Sequence, residues 1–151
     1  MDEKETLEQK KRKIYGKQYL NQYLKELKNI LTKDINEKDL LSIVITDKIA
    51  QNERGKLLIK DVILFDDKEA LENILERCLK SKQFYLFISH SLYCGTCKIN
   101  LFTDFNFKFS FEDLSSKIIN LCSIDFREEI ILDFYEEDNI KYLQVEIYEI
   151  M

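Results

Sequence analysis

The chain has 151 residues, of which 45% are hydrophobic and 34% charged, so it is neither disordered nor of low complexity and has the size of one domain. It has three Gly and no Pro, which excludes collagen-like chains, Pro-rich linkers and Gly-rich phosphate loops. The net charge of −5 is uneven, because residues 125–151 hold nine acidic side chains against Arg127 and Lys141. Such a surface disfavours nucleic acid and membranes as ligands and favours a basic partner.

Residues 6–32 have the pattern of a helix. Gly16 interrupts the early part of this segment, so we expect residues 1–13 to form a frayed arm. The apolar residues that recur at spacings of three and four are Leu20, Tyr23, Leu24, Leu27, Ile30 and Leu31.

Residues 41–65 are predicted to form a first β-hairpin. Leu41, Ile43 and Ile45 alternate with other residues, and the turn signal Asn52-Glu53-Arg54-Gly55 leads into a second apolar run. Asp66 then predicts the start of a helix, since Glu69 follows three residues later as in a capping box. The apolar stripe of this helix consists of Leu71, Ile74, Leu75, Cys78 and Leu79.

A second hairpin is predicted over residues 84–101. The pair Gly95-Thr96 suits a type II′ turn, which places Cys94 opposite Cys97 and His90 opposite Leu101. Extended structure is expected to continue to about residue 109, because the odd positions stay apolar. A short helix then begins at Ser110 and carries Phe111, Leu114, Ile118 and Leu121.

The third predicted hairpin joins residues 129–137 to residues 140–150. Asp138 and Asn139 tolerate positive φ and form its turn. One face is apolar and pairs Ile130 with Ile147, Leu132 with Val145 and Phe134 with Leu143. A helix over residues 128–137 is the alternative, because the same acidic and apolar residues also fit helical spacing.

These elements predict an α+β fold for residues 1–151 as a single domain. Its antiparallel sheet is built from three β-hairpins with helices between them, in the order α-ββ-α-ββ-α-ββ. The start of the chain is acidic, and the longest apolar runs have about four residues. We therefore expect a cytoplasmic protein with reduced thiols.

Cys94 and Cys97 form the sharpest chemical motif. The stretch Tyr-Cys-Gly-Thr-Cys-Lys resembles the active-site motif of thioredoxins, Trp-Cys-Gly-Pro-Cys-Lys. That resemblance implies that Cys94 is the nucleophile and that Cys97 resolves the mixed disulfide. The alternatives are a zinc site and buried structural thiols, of which we favour the last. The candidate zinc ligands are His90, Cys94, Cys97 and Cys122.

No other enzymatic motif is present, and we expect neither a catalytic residue nor a cofactor. One His and three scattered Gly support neither a serine-type triad nor a dinucleotide site.

The outer face of the last hairpin instead combines tyrosines, which are enriched at binding hot spots, with carboxylates that attract a basic partner. The predicted partner-binding residues are Glu129, Asp133, Tyr135, Glu136, Glu137, Asp138, Tyr142, Glu146 and Tyr148. This face could alternatively be covered by the N-terminal helix.

The size, acidity and α+β pattern are similar to those of bacterial toxin-immunity proteins. The stretches that carry this resemblance are Phe111-Glu-Asp-Leu-Ser-Ser-Lys and Phe134-Tyr-Glu-Glu-Asp. The resemblance implies a non-catalytic inhibitor that caps a basic protein surface, such as a toxin nuclease domain. Membrane and nucleic acid are not expected as partners.

Overall fold

One antiparallel sheet of six strands organises the protein, in the order β1-β6-β5-β4-β2-β3. The structure is a computed structural model that describes residues 4–51 and 54–150. The α+β class is confirmed. The helices of the described residues are α1 (Leu7–Ile30), α2 (Ile43–Ala50), α3 (Lys68–Cys78), α4 (Ser91–Cys94) and α5 (Leu101–Asp104). The strands are β1 (Lys56–Leu64), β2 (Gln83–Phe87), β3 (Cys97–Asn100), β4 (Ile118–Ser123), β5 (Glu128–Glu137) and β6 (Ile140–Glu149).

The third predicted hairpin is confirmed as β5 and β6, which occupy the centre of the sheet. Its pairing has the predicted register, with Ile130 opposite Ile147 and Phe134 opposite Leu143. Asp138 and Asn139 both have positive φ, of 52° and 64°, as a type I′ turn requires. The alternative of a helix over residues 128–137 is therefore wrong.

The inner face of the sheet carries the main hydrophobic core. Ile130, Leu132 and Val145 are fully buried there, in the same cluster as residues of α1 and α3. Burying apolar surface in this way is the dominant favourable contribution to folding. At one end of the cluster, Phe65 contacts the rings of Phe109, Phe111 and Phe134 with centroid separations of 5.2–5.5 Å.

Helix α1 is continuous from Leu7, so the segment that we expected to fray is helical from that residue onward. Thr6 caps the helix by accepting a hydrogen bond from the Gln9 backbone N–H. Gly16 is buried because α1 crosses α4 there, and a Cβ at this position would lie 2.5 Å from the Tyr93 carbonyl oxygen. Residues 1–3 lie outside the described residues.

The predicted first hairpin is wrong. Residues 43–50 form helix α2, because Ser42 caps its first turn and Ile43, Thr46 and Ile49 are buried at a spacing of three. Asn52 and Glu53 of the predicted turn lie outside the described residues. The strand that follows, β1, pairs with β6 at the far end of the chain and lies at the edge of the sheet.

The second hairpin also differs from its prediction. β2 and β3 pair, but Leu86 rather than Cys94 lies opposite Cys97, because α4 separates the strands. Gly95 ends α4 with a φ of 102°, and its carbonyl oxygen accepts a hydrogen bond of 2.6 Å from the Tyr23 hydroxyl. This contact with α1 is non-local and has no signal in the hairpin sequence.

The prediction of extended structure to residue 109 is wrong where α5 forms over residues 101–104. The odd-numbered phenylalanines from Phe105 to Phe111 are nevertheless all buried. Ser110 begins only a short 3₁₀ turn over residues 111–113, and Ile118 and Leu121 belong to β4 instead of a helix. Helix α3 is confirmed, although its cap is Asp67 instead of Asp66.

Candidate functional site

The outer face of the sheet, opposite the main core, brings together most of the predicted partner-binding residues. Strand alternation places Asp133, Tyr135 and Glu137 of β5 on this face. The face also holds Glu129 of β5 and Tyr142, Glu146 and Tyr148 of β6. All of these side chains are half-buried except Glu137, which is exposed. Helix α1 does not cover them, since its buried apolar residues belong to the core cluster of the inner face.

Arg54 covers one half of the outer face, the half that holds Glu129 and Tyr148. Its Nε donates a hydrogen bond of 2.5 Å to Oε1 of Glu129, and its guanidinium carbon lies 4.7 Å from the centroid of the Tyr148 ring. The neighbouring carboxylate raises the pKa of Arg54, so the guanidinium is charged at any ordinary pH. Arg54, two residues before β1, is thereby held against the sheet.

Glu146 lies in the same half of the outer face, next to Tyr148. Its Oε1 accepts a hydrogen bond of 2.8 Å from Gln144 Nε2, and its Oε2 accepts a hydrogen bond from the Tyr148 hydroxyl. These bonds, with the nearby charges of Lys60 and Arg54, hold the pKa of Glu146 below its ordinary value. Glu129, Glu146 and Tyr148 therefore already have partners within the protein.

The other half of the outer face is open. Asp133 has no hydrogen bond or ion pair from its carboxylate to any described residue, and burial together with the charge of Glu146 raises its pKa. Tyr135 and Tyr142 stack beside it with ring centroids 5.5 Å apart. This half therefore combines a carboxylate without a partner with a preformed aromatic surface.

Apolar side chains surround this open half, and sequence reasoning missed them. Val62 and Leu64 of β1 lie beside Gln144 and Tyr142, and Ile118 of β4 lies beside Asp133. With Ile140 of β6, these four residues are 39–55% exposed. We call Val62, Leu64, Ile118, Asp133, Tyr135, Glu137, Ile140 and Tyr142 the docking patch. The strand pairings that bring Val62, Leu64 and Ile118 to it are non-local and have no sequence signal, whereas Ile140 lies opposite Glu137 in the predicted hairpin and could have been found.

The tip of the β5–β6 hairpin, residues 136–139, carries further acidic side chains. Glu136, Glu137 and Asp138, three of the predicted partner-binding residues, are all exposed. Glu136 lies opposite Lys141 and points to the inner side of the sheet, beyond the core. Of the three, Glu137 alone lies on the same face as Asp133.

The cysteine motif has a different environment from the one that its thioredoxin resemblance implies. Cys94 ends α4, and its thiol donates to the Gly16 carbonyl oxygen at 3.4 Å, whereas Cys97 begins β3 and is buried. Both thiols are free. Burial raises the pKa of Cys94 and raises that of Cys97 to about 12. This is the reverse of the lowered pKa that makes a thiol nucleophilic.

The candidate zinc ligands are not brought together. Cys97 faces the inner side of the sheet and Cys122 the outer side, while the His90 ring stacks on Tyr19 at a centroid separation of 4.2 Å. Within residues 4–51 and 54–150, no three His, Cys, Asp or Glu side chains are grouped so as to hold a metal ion. In the same residues, no helix has both the length and the apolar character of a membrane span.

Comparisons with known proteins identify no relative. No protein-family model matches the chain, and neither a curated protein nor a solved structure matches it significantly.

Proposed function

We propose that this protein is a non-catalytic binding protein that uses its docking patch to cap a basic surface of another protein. The observation that carries the proposal is the state of Asp133. It is a half-buried carboxylate without a hydrogen-bond or ion-pair partner among the described residues. Ile118 and Gln144 lie opposite it on the two neighbouring strands, and the charge of Glu146 contributes to its raised pKa. A Lys or Arg from a partner would supply the missing counter-charge and would gain strength from the reduced exposure to water.

The side chains around Asp133 suit an interface. Tyr135 and Tyr142 are already stacked, so they offer a large contact area with little further loss of conformational entropy. Val62, Leu64, Ile118 and Ile140 form an apolar border that a partner would cover, thereby excluding water from the ion pair. Glu137 and the exposed hairpin tip add negative charge that increases the rate of encounter with a basic surface.

Capping requires geometry and charge but no reacting group on this chain. An inhibitor of this kind covers the cationic residues with which a target binds its own anionic substrate, as bacterial toxin-immunity proteins do. A toxin nuclease domain is the target class that we favour, because such a domain binds a phosphate backbone with Lys and Arg side chains. The predicted compartment, the cytoplasm, agrees with a role of this type.

A capture experiment with matched charge variants tests this function. The patch variant combines Asp133→Asn and Glu137→Gln, whereas the control variant neutralises two acids of α3, Glu72 and Glu76. Wild type and control are expected to retain the same basic partner from native cells, and the patch variant is expected to lose it. The partner's dissociation constant should then rise with salt concentration for wild type and depend less on salt for the patch variant.

Two results would contradict the proposal. The first is a partner that the patch variant retains as tightly as the wild type does, because the docking patch would then be irrelevant to its binding. The second is a partner without a basic surface, whose binding is insensitive to salt.

A further inference from the structure

The N-terminal half of α1 carries exposed apolar side chains. Leu7, Ile14 and Tyr15 are 71%, 65% and 57% exposed, more than any other large hydrophobic side chain of the described residues. Spacings of seven and eight residues are about two helical turns, so the three side chains lie on one side of the helix. The opposite side holds Gly16 and Tyr23, which are buried. Exposed apolar side chains that are grouped in this way are typical of an interaction site.

Lysines border these apolar side chains. Lys10, Lys11 and Lys17 are exposed, and none of them forms an ion pair with a described residue. Glu8, the exposed acid of this half of the helix, is already paired with Arg12. The surface is therefore apolar along its middle and positively charged at its border. We call Leu7, Lys10, Lys11, Ile14, Tyr15 and Lys17 the α1 ridge.

The α1 ridge matches the docking patch in charge, character and size. The patch combines exposed apolar side chains with the carboxylates of Asp133 and Glu137, so it has the opposite charge. From Leu7 to Tyr15 the helix rises about 12 Å. The patch extends from β1 to β4 across three strand spacings, which gives a width of about 14 Å. A helix packed on a sheet face is also the usual layer arrangement of α+β proteins, and the patch lacks such a cover.

The α1 ridge cannot reach the docking patch of its own molecule. Helix α1 packs on the inner face of the sheet, where Tyr23 and Leu27 belong to the core cluster, whereas the patch lies on the outer face. A contact between the two surfaces must therefore join two molecules. Because the two surfaces differ, the contact is heterologous, and a pair of molecules retains one free ridge and one free patch.

We propose that the α1 ridge of a second copy of this chain occupies the docking patch, so that self-association competes with binding of the basic partner. This inference rests on the proposed function, because it uses the same patch and supplies Asp133 with a lysine of the second copy as its counter-charge. A basic partner then binds only after the second copy dissociates. Its apparent affinity therefore falls as the concentration of the protein rises.

Sedimentation velocity of the full chain over a concentration series tests this contact. Wild type is expected to gain mass with concentration at low ionic strength and to gain less at high ionic strength. The ridge variant combines Lys10→Glu and Lys11→Glu, and its self-affinity is expected to fall at least about tenfold, as is that of the patch variant. The matched control combines Lys25→Glu and Lys28→Glu, at exposed positions of the other half of α1, and should associate like wild type.

A mixture of the ridge variant and the patch variant gives the sharpest test. The ridge variant retains an intact patch and the patch variant an intact ridge. The mixture is therefore expected to form a one-to-one complex that grows no further, although neither variant associates by itself. This result also shows that both variants are folded.

Three results would overturn the proposal: a wild type that stays monomeric up to about 1 mM, variants that associate like wild type, or a mixture that forms no complex. The ridge variant separates this inference from the proposed function, because its docking patch is intact and should still capture the basic partner. Capture of that partner by a chain that is always monomeric would contradict the self-contact alone. Association through the patch without a basic partner from native cells would support the self-contact and contradict the proposed function.

Discussion

Asp133 and Glu146 lie on the same face of adjacent interior strands, two residue pairs apart in the register, and burial together with the charge of Glu146 raises the pKa of Asp133. The two carboxylates have different surroundings. Glu146 accepts hydrogen bonds from Gln144 and Tyr148, whereas Asp133 accepts none from the described residues. The sheet therefore holds a carboxylate whose ionisation is less favourable in the folded state than in the unfolded chain.

Asp133→Asn is expected to increase the free energy of unfolding at pH 7. Because the pKa of Asp133 is raised in the folded state, that state binds more protons than the unfolded chain between the ordinary and the raised pKa. The stability of the wild type therefore falls as pH rises through this window, and the neutral Asn avoids the loss. We expect a gain below about 1 kcal/mol, because the group is partly exposed and solvent screens it.

Urea denaturation of both proteins between pH 3 and 7 checks this expectation, with the gain fading at the acid end. Asp34→Asn, at an exposed position outside the helices and strands, is the matched control and should change stability little. A decrease in stability at pH 7 would mean that Asp133 has a stabilising partner. A residue that reduces stability but strengthens binding is the usual mark of a functional site.

Arg54 and Glu129 are expected to show a favourable coupling energy of about 0.5–1 kcal/mol in a double-mutant cycle of Arg54→Met and Glu129→Gln. Their side chains are 44% and 17% exposed, so the pair is only partly screened by water. Thermal or urea denaturation of the four proteins measures the coupling. Additive effects would show that Glu129 does not hold Arg54 on the sheet.

Gly95→Ala is expected to destabilise the protein by about 3 kcal/mol or more. Gly95 has a φ of 102°, and a Cβ there would lie 2.1 Å from the Leu41 carbonyl oxygen. Gly95→Asn should be equally damaging, since Asn tolerates positive φ but retains a Cβ. Denaturation curves for the two variants check this, and a mild effect of either would contradict the close approach of the two backbones.

Asn139→Gly is expected to stabilise the protein by about 0.5 kcal/mol, because Gly adopts the φ of 64° at this position with less strain. Asn139→Ala is the matched control and should destabilise it by about 1 kcal/mol. Urea denaturation of both variants tests the turn geometry. Equal effects of Gly and Ala would contradict a type I′ turn at residues 138–139.

The sequence predicted the β5–β6 hairpin in full register because all of its determinants are local. Alternating apolar residues and the pair Asp138-Asn139 agree with one another, and no other part of the chain is needed. Residues 43–50 were misassigned because Leu41, Ile43 and Ile45 alternate as in a strand, whereas the helix buries Ile43, Thr46 and Ile49, one of which is polar. The burial of Thr46, whose hydroxyl accepts a hydrogen bond from the Thr96 backbone N–H 50 residues away, is a non-local feature with no signal in this segment.

The candidate site was predicted only in part for the same reason. Its tyrosines and acids lie on one hairpin and are visible in the sequence, but Val62 and Leu64 reach the docking patch through the pairing of β1 with β6. Arg54 was assigned to a turn, and nothing in its neighbourhood indicates a contact with Glu129, 75 residues away. Long-range strand pairing of this kind has no local signature.

The position of β1 at the sheet edge affects folding during synthesis on the ribosome. Among the described residues its only strand neighbour is β6, so β1 leaves the ribosome well before the segment that it pairs with exists. During that interval its Leu57, Leu58, Val62 and Leu64 have no strand partner to cover them. We therefore expect newly made molecules to be most prone to aggregation through β1 until the last hairpin has been synthesised.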